Sequence, residues 1–272
     1  MRGTLDLGIT ANRRNQSFIS RMNYTFPLKV LRPFYLDGIG TAYIYLLDTA
    51  GGMLAGDSLD YRIRVEDGAR LYLTNASASK SYVMNGGGAQ VHQFFSVGRQ
   101  ASMEFFPEEV MLFKDTTLET ATRIEAERDS VFAFCDMYAC GRKHKGERFE
   151  FRSMGNLLEI VIDGKLAVWE KYRVDGHRLQ SGQPGYLEEY THWGTLYMYS
   201  SETDGAVLQT ARECLAGIGE GGVWAGCSLH PSGVLTVKAL SAEYEAVKDC
   251  FQQVWAQLRP RMLKEALPYI RK

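Results

Sequence analysis

Leu59-Asp60-Tyr61-Arg62-Ile63-Arg64-Val65-Glu66 alternates apolar and polar residues, turns at Asp67-Gly68, and continues as Ala69-Arg70-Leu71-Tyr72-Leu73-Thr74. Alternation of this kind is the signature of a half-buried strand. Asp-Gly between two such runs predicts a hairpin, because a tight hairpin turn needs residues that accept positive φ. The same reading applies to Leu157–Ile162, Asp163-Gly164 and Lys165–Glu170. Shorter strands are expected at Thr41–Leu47, Gln90–Val97, Ala101–Phe106, Arg123–Glu127, Val131–Tyr138 and Phe149–Ser153. This density of strands and turns predicts a mainly β chain, built as a sandwich, a barrel or a stack of strands. No repeat of fixed length emerges, so a regular solenoid has no support in the pattern.

Two segments leave this rhythm. Val207, Leu208, Ala211, Leu215 and Ile218 form a helical stripe over about 203–218, with Ser201 or Thr203 as N-cap. Tyr244, Val247, Phe251, Val254, Trp255 and Leu258 form a clearer one over about 241–258, capped by Ser241 and ended by Arg259-Pro260. Its apolar face is expected to pack on the core. Val234–Ala239 alternates again, and no Pro/Ser-rich linker divides the chain. The expectation is a single domain over 1–272, a β stack at about 1–200 and 219–240 with two helices near the C-terminus.

The 272 residues include 31 basic and 32 acidic ones, a balance in which nothing points to nucleic acid as the main partner. Five cysteines with no C-x-x-C pair fit reduced thiols better than a disulfide framework. Neither a signal peptide nor a membrane-spanning apolar run is visible, so a cytoplasmic protein with no membrane partner is expected.

Gly51-Gly52-Met53-Leu54-Ala55-Gly56-Asp57 lacks the Lys-Ser/Thr of a phosphate loop and reads as a crowded turn. His144 sits among Arg142, Lys143, Lys145 and Arg148, where like charge opposes metal binding. His92, His177, His192 and His230 are scattered, so no stable metal site is predicted. Cys135 and Cys140 fall on opposite faces of a regular strand and read as structural thiols. The carboxylates carry more. Asp57 follows a glycine turn, Asp136 interrupts Val131–Cys135, and Glu170 closes Ala167-Val168-Trp169. A carboxylate within an apolar strand is costly to bury unless paired or hydrated. Such groups serve ion pairs, or they line a wet internal cavity. Thr74-Asn75-Ala76-Ser77-Ala78-Ser79-Lys80, small and polar, is either a plain loop or the wall of a narrow passage.

Taken in order, these islands resemble the urease accessory protein UreD family, also called UreH. The resemblance rests on Pro27-Leu28-Lys29-Val30 with Arg32-Pro33-Phe34-Tyr35, Gly51-Gly52 with Gly56-Asp57, and Ala78-Ser79-Lys80 with Tyr82. It continues through Glu104–Glu109, Gly141-Arg142 with Gly146-Glu147, Gly226–Leu229, and Trp255 with Leu258-Arg259-Pro260. Lys143-His144-Lys145 departs from a stretch that is less basic in the family.

The resemblance implies a β-helix-like stack of strands with a small helical part, and a scaffold rather than an enzyme. It implies binding to the accessory protein UreF, which bridges to the GTPase UreG, in a complex that is dimeric and docks on the urease apoprotein. That complex delivers nickel, with GTP hydrolysis by UreG, and a water-filled tunnel carries the metal. Transient Ni²⁺ is then cargo, with no tightly bound cofactor and no catalytic residue. By position, Asp57, Ser79, Asp136 and Glu170 are expected along the passage. Arg32, Lys80, Arg142 and Glu147 are expected to fix loops or meet a partner through charge-assisted hydrogen bonds. The alternative is a carbohydrate-active β-stack hydrolase using a carboxylate pair such as Asp57 and Glu170, which needs the two about 5 to 10 Å apart.

Overall fold

The computed structural model describes residues 1–179, 185, 187–218 and 222–270. In chain order its strands begin with β1 (Arg2–Ala11), β2 (Ser17–Tyr24), β3 (Leu28–Val30), β4 (Ala42–Asp48), β5 (Ser58–Val65), β6 (Arg70–Asn75), β7 (Ser79–Ser81), β8 (Ala89–Val97) and β9 (Ser102–Phe105). They continue with β10 (Val110–Leu112), β11 (Thr117–Ala126), β12 (Val131–Ala139), β13 (Ser153–Ile162), β14 (Lys165–Asp175), β15 (His192–Tyr199), β16 (Val223–Leu229) and β17 (Leu235–Ser241). The helices are α1 (Gly176–Leu179), α2 (Gly205–Ile218) and α3 (Tyr244–Leu263).

Among the described residues these strands form a seven-stranded sheet ordered β14-β13-β11-β8-β5-β1-β2 and a ten-stranded sheet whose main path is β16-β17-β15-β12-β9-β6-β4-β3. From β4 to β13 the chain passes back and forth between the sheets. Successive visits to one sheet therefore lie parallel: β5, β8, β11 and β13 in the first, and β4, β6, β9 and β12 in the second. The result is a solenoid-like stack without a sequence repeat, finished at its ends by antiparallel strands.

Asp67-Gly68 does not close a hairpin. β5 pairs with β1 and β8, whereas β6 pairs with β4 and β9, so this turn is the corner where the chain changes sheet. Asp163-Gly164 does close one, between β13 and β14. The backbone explains the difference. Asp163 (φ 49°) and Gly164 (φ 72°) both take positive φ, as a tight hairpin turn demands, whereas at the corner Gly68 (φ 70°) alone does. Asp67 instead accepts the Arg99 N–H at 2.8 Å, tying this corner to the next one.

Phe149–Ser153 is likewise not a strand. Phe149 sits at φ 54° and breaks the extended backbone, and β13 starts only at Ser153. α2 is capped by Asp204, whose Oδ1 accepts the N–H groups of Ala206 and Val207, rather than by Ser201 or Thr203. The N-cap position of α3 is Glu243, and Ser241 accepts the Glu243 N–H one step earlier. α3 also runs through Pro260 to Leu263, because the buried Arg259 and Met262 keep its last turns on the sheet. The β segment expected from 219 begins on residues 219–221, which lie outside the described residues.

One apolar cluster fills the space between the two sheets, with Leu7, Ile63, Phe95, Phe134 and Leu158 among its members. A second lies on the outer face of the ten-stranded sheet, where Cys135, Leu196 and Val237 meet Val207, Phe251 and Trp255 of α2 and α3. No helix among the described residues is long and apolar enough to cross a membrane.

Candidate functional site

Alternation along each strand decides which side chains face the inter-sheet core, and one layer of that core is polar. In the seven-stranded sheet, register places Thr120 beside Asn156 and Asn156 beside Tyr172. A neighbouring row aligns Tyr61, Gln93, Thr122, Leu158 and Glu170. In the ten-stranded sheet Asp136, Thr195 and Lys238 stand in register.

These groups bond across the sandwich. Asn156 Nδ2 donates to Asp136 Oδ2 at 3.0 Å and to the Tyr172 hydroxyl at 3.4 Å, while Asn156 Oδ1 accepts from Thr120 at 2.8 Å. Lys238 Nζ donates to Glu170 Oε2 at 2.7 Å. Burial raises Asp136 to about 7; the Asn156 hydrogen bond opposes the shift and the charge of Glu170 adds to it. Burial also pushes the hydroxyls of Tyr172 and Tyr197 far up, so both remain protonated donors.

Four polar atoms are buried in this layer: Asp136 Oδ1, Glu170 Oε1, Trp193 Nε1 and the Tyr197 hydroxyl. Tyr197 lies within hydrogen-bonding reach of Glu170, Trp193 of Tyr172, and Asp136 of the Thr195 backbone. Their gathering in one layer sets a polar seam within the apolar core.

Two hollows flank the layer. A surface pocket of about 480 Å³ lies beside Glu170 and Lys238, walled by Tyr172, Trp193, Thr195 and Trp224. An internal cavity of about 70 Å³ is lined by Ser79, Gln93, Glu108, Thr120, Thr122 and Asp136 with apolar neighbours, enough for several waters. Asp136 thus faces the inner hollow and Glu170 the outer one.

Of the residues expected along a passage, the structure brings Ser79 and Asp136 onto one cavity and sets Glu170 in electrostatic contact with Asp136. Asp57 lies elsewhere. Its Oδ1 pairs with the Met1 ammonium at 2.5 Å and its Oδ2 accepts the Leu54 N–H at 2.7 Å, holding the glycine turn. Asp57 adjoins β5, four strand spacings from β14, which separates it from Glu170 by roughly 19 Å at ~4.8 Å per strand. That exceeds the reach of a glycosidase pair. Aromatic side chains do gather around Glu170, namely Tyr172, Trp193 and Tyr197.

Arg142 and Glu147 pair with each other across the basic loop, and the Arg142 guanidinium lies 4.4 Å from the Phe113 ring centroid. The Arg142 hydrogen bond, helped by its charge, holds the Glu147 carboxyl below its usual range. Lys143 reaches Glu243 and the Ala242 carbonyl, whereas His144 is exposed. Arg32 is exposed on the segment after β3, and Lys80 is half-buried beside Gly52.

Sequence reasoning missed Asn156, Tyr172, Tyr197 and Lys238. The parity of Asn156 with buried Met154 and Leu158 is the signal that finds it, since a polar residue on an inward position stands out once the face is known. It also missed Glu104 and Arg259, which are fully buried and bonded at 2.9 Å. No group of three or more His, Cys, Asp or Glu side chains among the described residues is arranged to hold a metal.

Comparison with known proteins accounts for the motif islands. The family model described as UreD urease accessory protein matches residues 1–272. A urease accessory protein UreD of Bacillus cereus is 26% identical over 270 residues, covering 99% of this chain and 98% of its own length. One from Klebsiella aerogenes is 30% identical over 247 residues, covering 91% and 87%. One from Halalkalibacterium halodurans is 30% identical over 211 residues, covering 77% of each. With a family match across the whole chain and relatives aligned over most of their length, this chain belongs to the UreD family of urease accessory proteins.

Proposed function

We propose that this chain is a non-enzymatic conduit and scaffold that passes Ni²⁺ toward the urease apoprotein within a cytoplasmic complex with UreF and UreG, UreG hydrolysing GTP. The observation that carries the reading is the polar layer. It links a surface pocket at Glu170 to an internal cavity at Ser79 through Asp136 and Asn156.

Its chemistry suits transit. Several imidazoles or thiolates would retain Ni²⁺, and each 1.4 kcal/mol of extra affinity slows release about tenfold at a fixed on-rate. Two carboxylates among hydroxyl and amide groups bind a divalent cation weakly enough to let it go. Partner docking is supported by Phe18, Met22, Tyr24, Phe26, Phe34, Tyr35 and Leu36, large apolar side chains that are all exposed. The Tyr35 hydroxyl donates to the Ser17 carbonyl at 2.8 Å, so the β2 and Phe34–Leu36 parts of this surface adjoin.

The test is co-expression of wild type and Glu170→Ala with UreF and UreG, followed by nickel- and GTP-dependent activation of apo-urease. The expected result is an intact complex with activation reduced several-fold. Normal nickel loading by the variant would sink the conduit.

A further inference from the structure

We propose that Lys238 and Lys248 are cation surrogates that latch the two ends of the internal polar track, each neutralising a carboxylate until a divalent ion displaces it. The inference rests on the conduit reading and adds a gating device to it.

At the outer end Lys238 Nζ is 2.7 Å from Glu170 Oε2, and its side chain is 56% exposed against 22% for Glu170. Glu170 is therefore held by a lysine that can swing into the pocket, and exposed pairs of this kind are weak. At the cavity end Lys248 Nζ lies 3.4 Å from Glu108 Oε2, which also takes the Tyr244 hydroxyl. Glu108 lines the same cavity as Asp136.

Beside each latch stands a buried polar group. Near Glu170 it is the Tyr197 hydroxyl, on a residue 1% exposed, which lies within hydrogen-bonding reach of Glu170 and in the field of Asp136. Near Glu108 it is Glu109 Oε2, on a residue 5% exposed. These atoms are the further ligands a cation would meet once the ammonium has moved. Charge gives the exchange its direction. Asp136 and Glu170 together carry up to two negative charges, of which one lysine balances one, while a divalent ion balances both. The ammonium also excludes monovalent cations, which bring no more charge than the lysine already supplies.

The experiment measures Ni²⁺ retention by equilibrium dialysis of the purified full chain, with an accessory partner present if the chain needs one to stay in solution. Wild type, Lys238→Met, Lys238→Arg and Lys238→Met/Glu170→Gln are compared. Lys238→Met is expected to retain Ni²⁺ about tenfold more tightly or better. Lys238→Arg keeps the charge and is expected to match wild type, and adding Glu170→Gln should remove the gain. Retention by Lys238→Met equal to wild type overturns the latch.

The same Glu170→Gln change, assayed for urease activation, separates the two ideas. Reduced activation with unaltered retention by Lys238→Met overturns the latch and keeps the conduit. Normal activation by Glu170→Gln overturns the conduit itself.

Discussion

Arg259 and Glu104 bond through two hydrogen bonds of 2.9 and 3.0 Å in the second core, with 0% and 1% of their side chains exposed. The pair joins α3 to β9. It is completed by Trp255 Nε1, which donates to Glu104 at 2.6 Å, and by Asp37 at 3.1 Å from the guanidinium. Arg259 Nη1 further donates to the carbonyls of Glu265 and Ala266, which pins the chain beyond the helix. The Glu104 and Arg259 motif islands, distant in sequence, are two halves of one buried contact.

Removing one partner of a buried pair leaves the other charge uncompensated. Arg259→Met should therefore lower stability by about 3–5 kcal/mol, because Glu104 and Asp37 both lose their cation. Urea denaturation compared with wild type measures this. A loss under about 1 kcal/mol would mean that apolar packing alone docks α3.

Asp136 should make stability depend on pH. Burial raises its carboxyl from 3.8 to about 7, so the folded chain holds a proton that the unfolded chain releases. The associated stability is complete below the unfolded value and is lost as pH rises through about 7. Asp136→Asn should match wild type near pH 4 and exceed it at pH 8 by an amount on the order of 1–3 kcal/mol. Thermal denaturation of both proteins across that range checks it, and parallel curves would contradict it.

The glycine turn ahead of Asp57 is crowded at a particular atom. A Cβ on Gly52 would stand 2.8 Å from the Lys80 carbonyl oxygen and 2.8 Å from the Tyr82 ring, whereas one on Gly226 would meet nothing within 4 Å. Gly52→Ala should cost about 1–3 kcal/mol through overpacking. Gly226→Ala on β16 should change stability by less than about 0.5 kcal/mol. Equal effects in denaturation would remove the steric explanation.

Much of the fold was legible because its signals are local. Alternation over Leu59–Val65 and over Leu157–Glu170 identified strands and their buried faces, and the i, i+3, i+7 spacing of Tyr244, Val247 and Phe251 identified α3. Pairing was less legible. Asp67-Gly68 and Asp163-Gly164 are the same dipeptide, yet one turns between sheets and the other within a sheet. The choice lies in which neighbours each strand finds across the stack.

The candidate site divides along the same line. Ser79, Asp136 and Glu170 stood out as polar residues in special local settings, and Asp57 stood out equally although it serves the turn at Met1 and Leu54. A carboxylate after a glycine turn and a carboxylate inside an apolar strand look alike until their neighbours are known. Asn156, Tyr197 and Lys238 acquire meaning only beside Asp136 and Glu170, which the register supplies.

The sequence by itself determined the mainly β class, the two C-terminal helices and the family, since these follow from periodicity and from short motifs in a set order. Tertiary structure decided which carboxylates share the polar layer, which lysines neutralise them, and which charged pair is buried beneath α3. The physical reason is range. Strand and helix propensities act over a few residues, whereas desolvation and ion pairing act across the few ångströms that separate side chains brought together from 68 or 155 positions apart.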